Sequence, residues 1–408
     1  MTMNGKRALL IALTAWSGAA QAQTAEVVHW WTSKGESAAV QELAAGYRKA
    51  GGVWVDTAIA GGENARNTII NRIAGGKPPT IAQFNPTSQF KELMEENLLN
   101  DIDAVAVKQS WDKMLPVPLQ RFAKSGGKYY AMPVGVHNPS WFWYSKEVLA
   151  KAGVNKEPAS IDEFFAALDK IKKAGFVPLA LGGQAWQEFM LFFTLLHTSG
   201  GADLYTRVFA STDGKVATSP EFKKVLSDFK RLKGYVDAGS PNRDWNLASA
   251  MLISNRAGFQ VMGDWVKGEF NAANKVAGKD YGCFPGFGPK APYLVEGDVF
   301  VFPRTKNAQA IKAQQLFALT STSPEVQVAF NLKKGSLPIR TDVDLSKADL
   351  CTQIGMAAMR EPGRLLQSPE QIVSPNKAAQ MTDAITQFWN TNQSVDEAAK
   401  ALAAALRG

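Results

Sequence analysis

The sequence predicts an α/β protein of two lobes, each a central sheet flanked by helices. Three observations lead there. Short apolar strand candidates alternate with amphipathic helical stretches, the pattern of sheets covered by helices. A chain of 408 residues is long for one domain and suits two. Gly and Pro punctuation is dense near Pro133, across Pro285–Pro292 and at Ser321–Ser323. These are the expected crossings between lobes, and they make each lobe discontinuous.

The elements follow in order. Residues 1–22 read as a secretory leader: Lys6 and Arg7 are its positive start, Ala8–Trp16 its apolar core, and Ala20-Gln21-Ala22 a small-x-small cleavage pattern. The mature chain is then expected to start at Gln23, and no Cys stands nearby to carry a lipid anchor. No later apolar run reaches the roughly 18 residues a membrane helix needs, so an exported, soluble chain is expected.

Strand candidates are Glu26–Trp31, Val53–Ala58, Thr80–Phe84, Tyr129–Pro133, Ser140–Tyr144, Ala257–Val261 and Val299–Phe302. Their alternation with helices predicts parallel sheets. Helix Glu36–Ala50 stops at Gly51-Gly52, and helix Ile161–Ala174 opens on the capping box Ser160…Glu163 and stops at Gly175. Ser219-Pro220-Glu221 and Ser323-Pro324-Glu325 place Pro at the first helical position behind a Ser cap. A second capping box, Ser394…Glu397, opens a last helix, Val395–Leu406.

Composition narrows the function. Against 37 acids stand 45 Lys and Arg, a formal charge of +8, with the lysines spread over separate helical faces rather than in one block. A solvated surface is expected, and no nucleic-acid partner. The two cysteines, Cys283 and Cys351, sit near loop sequence and suit one disulfide in an oxidising compartment. The three histidines, His29, His137 and His197, belong to no ligand-spacing motif, so neither a metal nor a cofactor is expected. The sequence holds no Gly-x-Ser-x-Gly elbow, no His-Glu-x-x-His and no phosphate-binding Gly-x-x-x-x-Gly-Lys loop. The expectation is therefore a binding protein and not an enzyme; the alternative of another class is a glycosidase, whose two carboxylates lie apart in sequence.

The loops after strands are rich in aromatics and amides. Trp30-Trp31 ends the first strand and leads into a turn carrying Gly35 and Glu36. Ligands of open α/β sheets sit beyond the carboxyl ends of strands, and an indole offers a stacking face with a polar N–H. Adjacent strand residues point to opposite faces, so one of the two tryptophans can equally be core. Gln83-Phe84-Asn85, His137-Asn138 with Trp141-Phe142-Trp143, Gly182 to Gln187 around Trp186, Arg243-Asp244-Trp245 and Gly263-Asp264-Trp265 repeat the theme. Planar amides and carboxylates can bond two neighbouring hydroxyls at once. Trp141, Trp143 and His137 fit core or site equally; Trp265 with Asp264 fits a site better; Trp245, Trp54 and Trp111 fit packing.

In this order, these segments together with Pro78-Pro79, Gly268-Glu269, Asp298-Val299-Phe300 and Lys334-Gly335-Ser336-Leu337-Pro338 resemble the bacterial extracellular solute-binding proteins of carbohydrate ABC importers, most closely their glucose-binding subgroup. The resemblance implies a periplasmic-binding-protein type II fold, with lobes 23–134 plus 296–320 and 135–295 plus 321–408. It implies a monosaccharide such as glucose held in the cleft, and an oligosaccharide or non-sugar solute as the alternative. It implies a monomer handing its ligand to membrane permease subunits. By motif, Trp30, Trp31 and Glu36, with Gln83 or Asn85, would line one side; Asp298 and Lys334 would bond hydroxyls; Asp264 and Trp265 would face them, with Trp186 and His137 at the wall. Cys283 and Cys351 fall where the subgroup carries its bridge. Where glucose-type members have a sugar-contacting His, this chain has Ser374-Pro375-Asn376-Lys377, leaving Asn376 as the substitute donor and acceptor.

Overall fold

The computed structural model describes residues 23–85, 89–210 and 214–407. The expected leader lies outside the described residues.

Ten strands frame the architecture: β1 (Thr24–His29), β2 (Val53–Ala58), β3 (Ile81–Phe84), β4 (Ala131–His137), β5 (Trp141–Ser145), β6 (Val177–Ala180), β7 (Ala257–Met262), β8 (Tyr281–Phe284), β9 (Tyr293–Val301) and β10 (Leu365–Gln367). Among the described residues they form a six-stranded sheet of order β10-β9-β3-β1-β2, with β4 also paired to β9, and a four-stranded sheet of order β8-β5-β7-β6. The expectation of parallel sheets needs correction. β1 pairs in parallel with β2 and β3, and β6 with β7, but β9 runs antiparallel to β3 and β4, and β5 antiparallel to β7 and β8. Parallel neighbours need a crossover helix between them. β1, β2 and β3 have one; β4, β5 and β9 carry the chain between the two sheets and arrive without it.

Local signals held where they were strongest. Helix α1 (Lys34–Lys49) is amphipathic and buries Ala39, Val40, Leu43 and Tyr47. It opens on a capping box that the sequence spells as Ser33-x-x-Glu36 and that the reading above passed over: Ser33 Oγ accepts the Glu36 N–H, and Glu36 Oε2 accepts the Ser33 N–H. At Ser160 only half the expected box forms, because Glu163 accepts from Ala159 N–H; at Ser394 both halves form. β1 stops two residues earlier than expected, at His29, while β9 begins six residues before Val299, its pattern interrupted by Gly297. β6, β8 and β10 escaped the sequence because they are only three or four residues long and include Pro178 and Gly282.

Three stretches connect the sheets. β4 and β9 lie side by side through the middle, with Glu296 opposite His137 and Asp298 opposite Gly135, and the register shifts between Asp298 and Val299. The third passes Gly335, whose φ of +99° is open to glycine and strained for other residues, and Leu337 then bridges Val136. A disulfide joins Cys283 on β8 to Cys351 on the helix Leu350–Met359.

Candidate functional site

The site grows from the place where these connections meet. Trp30 follows β1, and its N–H donates to Gln83 Oε1 at 3.0 Å. Gln83 lies on β3, and its Nε2 donates to Asp298 Oδ1 at 3.2 Å. Asp298 Oδ2 faces His137 Nε2 at 3.0 Å, and His137 Nδ1 is hydrogen-bonded to Asp264 Oδ1. Asp264 Oδ2 accepts the Asn138 N–H at 3.0 Å. Four side chains from β3, β4, β9 and the turn after β7 thus form one buried polar chain, with the Trp30 and Asn138 backbone N–H groups at its ends.

With a carboxylate on each ring nitrogen, His137 satisfies both only as a double donor, the imidazolium. Burial works against that charge, but the Asp264 carboxylate and the hydrogen bonds to both aspartates outweigh it and push the pKa up to about 9. Asp298 is correspondingly held below the usual carboxylate range: burial raises it, and the His137 bond and charge more than offset that. Beside them Lys334 is almost wholly buried at the end of the helix Pro324–Lys334. Its Nζ lies 3.6 Å from Glu36 Oε1 and 5.6 Å from the ring centres of both Trp31 and Trp265. Burial pushes Glu36 above its ordinary pKa despite the Lys334 charge. Trp265 also meets His137 edge-on, at 5.6 Å between ring centres.

The structure therefore gathers Gln83, His137, Asp264, Trp265, Asp298, Lys334 and Glu36, and ties Trp30 to them through Gln83. The remaining expected residues do not join this chain of hydrogen bonds. Trp31 is not an exposed aromatic: it is 1% exposed and packs against Phe300 and Phe330. Trp30, by contrast, is half-buried and packs at the edge of the core. Trp141 and Trp143, left open by the sequence, stack on one another inside the core. Asn85 turns to Glu370, donating to Oε2 at 2.9 Å. Asn376 is exposed in the first turn of the helix Pro375–Asn390. Trp186 is 39% exposed on a rim; its Nε1 donates to Gln184, and Gln184 donates to Asp244, which precedes Trp245.

Sequence reasoning missed two groups and gave a third, Glu269, no role. Arg66 lies over Trp30, 5.7 Å from its ring centre. Glu269 reaches Gly35. Glu296, opposite His137, is pushed up to about 8 by burial and by the Glu370 charge. For Glu296 a signal existed, since Leu294-Val295-Glu296-Gly297-Asp298 carries two acids in an otherwise apolar strand. Nothing local marks Arg66, while Glu269 belongs to a segment that carries the resemblance.

Comparison with known proteins gives the family and the fold. The family model "Bacterial extracellular solute-binding protein" matches residues 31–327. A probable sugar-binding periplasmic protein of Rhizobium meliloti is 37% identical, over 100% of this chain and 98% of its own. Another, from Brucella suis, is 36% identical, over 98% of this chain and 96% of its own. Among solved structures, a chitin oligosaccharide binding protein superposes with a TM-score of 0.81 at 19% identity, over 94% of this chain and 98% of its own. A bacterial solute receptor described as preferring β-D-galactopyranose does so with 0.75 at 21%, over 93% and 97%. These likenesses fix the fold as the two-lobed type II arrangement.

Proposed function

The chain belongs to the bacterial extracellular solute-binding protein family, and from that premise we propose that it is the periplasmic sugar receptor of an ABC importer, binding a small aldose such as glucose. We place its lobes at 23–134 with 296–334 and 135–295 with 335–408; the third boundary moves from 320/321 to Gly335 because the helix Pro324–Lys334 packs on α1. It acts as a monomer after loss of residues 1–22.

One observation carries this reading: the polar chain from Gln83 through Asp298 and His137 to Asp264 is bordered by the Trp265 indole and by Lys334. The charges in it are already paired with one another. What it has left to offer a ligand is hydrogen-bonding capacity on planar groups beside an aromatic face, which suits an uncharged polyol ring with apolar C–H faces. A charged solute would have to break a buried ion pair. That relatives over the full chain are described as probable sugar-binding periplasmic proteins supports the same class.

The mechanism follows from linkage. A sugar contacting Gln83 on one side and Asp264 and Trp265 on the other touches both lobes, so it stabilises the closed form over the open one. The closed form then docks on the permease and releases its ligand unchanged. Tryptophan fluorescence of the mature chain, titrated with glucose, galactose, mannose, xylose, maltose and trehalose, tests this. Saturation by a monosaccharide at micromolar concentration is expected; saturation only by a disaccharide would replace the aldose assignment, and no response to any would overturn the sugar reading.

A further inference from the structure

Helix α1 lies over the six-stranded sheet, while the helix Val266–Ala272 follows β7 of the four-stranded sheet; their first turns touch. Two glycines set how near they come. A Cβ on Gly35 would stand 2.4 Å from the Gly268 carbonyl carbon and 2.8 Å from the Glu269 nitrogen. Both are backbone atoms, with no flexible side chain to yield. A Cβ on Gly268 would stand 2.9 Å from the Lys333 carbonyl oxygen, so that side is closed too.

Across this contact Glu269 Oε1 accepts the Gly35 N–H at 2.8 Å. The first N–H groups of a helix have no partner within the helix. In α1 the Glu36 N–H is taken by Ser33 of the same lobe, and the Gly35 N–H by a carboxylate 234 residues away. That carboxylate also faces the positive end of the helix dipole. The cap of α1 is thus completed by the other lobe.

We propose that Gly35, Gly268 and Glu269 form the closure latch of this receptor: the glycine pair sets how far the lobes close, and Glu269 holds them there. This rests on the two-lobe receptor reading. Glu269 is a positioning residue, acting on affinity through the closed population and not through the sugar. Apparent affinity scales with the fraction of the binding-competent form, so weakening the latch speeds ligand loss and leaves the first encounter of sugar with the open cleft unchanged.

The experiment uses the mature chain and its Glu269→Ala, Glu269→Gln and Gly35→Ala variants. D-Glucose is the probe, or the tightest-binding sugar of the panel if that is another. Stopped-flow tryptophan fluorescence gives association and dissociation rates, and small-angle X-ray scattering gives the radius of gyration with and without sugar. Loss of a helix-cap bond predicts dissociation from Glu269→Ala faster by about 3- to 10-fold, with association unchanged and Glu269→Gln between it and wild type. Gly35→Ala is expected to abolish the ligand-induced contraction and to weaken affinity by at least about tenfold. Wild-type dissociation rates and contraction in both Glu269→Ala and Gly35→Ala would overturn the latch, as would a lowered melting temperature with closure unaffected. If no sugar binds the wild type, the sugar reading falls by itself. The latch is then judged on the ligand-free chains, where Gly35→Ala must have the larger radius of gyration, and equal radii overturn it.

Discussion

Replacing His137 by Gln removes the cation between Asp264 and Asp298 while keeping an amide of similar reach. In the folded protein His137 holds its proton up to about pH 9, whereas unfolded it would lose it near 6.5. A group with a raised folded pKa contributes stability that is complete below the unfolded value and is lost as pH climbs through the folded one. Between pH 6.5 and 9 the native state therefore binds more protons, and stability falls with rising pH. A shift of that size corresponds to about 3 kcal/mol. The other two histidines do not blur this window. Burial lowers both, His29 despite Asp56 and His197 to about 3, so their cost appears only below pH 6.5. Glu296 does overlap, because its raised pKa removes stability between about 4.5 and 8. The useful quantity is thus the difference between wild type and His137→Gln, from urea unfolding followed at half-unit steps from pH 6 to 9.5. The gap is expected to be widest at pH 6 to 7, at about 3 kcal/mol, because the variant leaves two buried carboxylates facing each other without a cation. It should narrow toward pH 9.5. Curves that run parallel across the window would refute the imidazolium bridge and with it the electrostatic account of the site.

Trp265→Ala should weaken sugar binding more than tenfold, since the ring meets both His137 and Lys334; isothermal titration giving wild-type affinity would remove Trp265 from the site. Replacing both Cys283 and Cys351 by Ser opens a loop of 68 residues, which on chain-entropy grounds costs about 4 kcal/mol and lowers the melting temperature by about 5 °C. Sugar affinity is expected to be unchanged, and a thiol assay finding two free cysteines in the exported protein would contradict the bridge.

Much of the fold was legible because its causes are local. Ser caps, a Pro at the first helical position and Gly stops named the helices at Ile161, Pro220, Pro324 and Val395 within a residue or so. A cap depends on side chains three residues apart, and those lie next to each other in any chain. The family resemblance was likewise written in linear order. Strand direction was not: β9 reads like any apolar run, and only its place between β3 and β4 makes it antiparallel to both.

The residue types of a ligand site were equally visible in the sequence, while their grouping was not. Trp30 and Trp31 are the same side chain one position apart, yet β1 ends at His29 and the packing of Phe300 and Phe330 decides which of them is core. Asn85 lies against Glu370, a partner 285 positions along the chain that no local pattern announces. Gln83, His137, Asp264, Asp298 and Lys334 are spread over some 250 positions, and no sequence pattern links them. Their charges become one network only when two sheets and three crossings bring them to within hydrogen-bonding distance in a place that excludes water. Hydrogen bonds and charges act over a few ångströms, so the sequence determines which groups a chain owns, and the tertiary structure decides which of them meet.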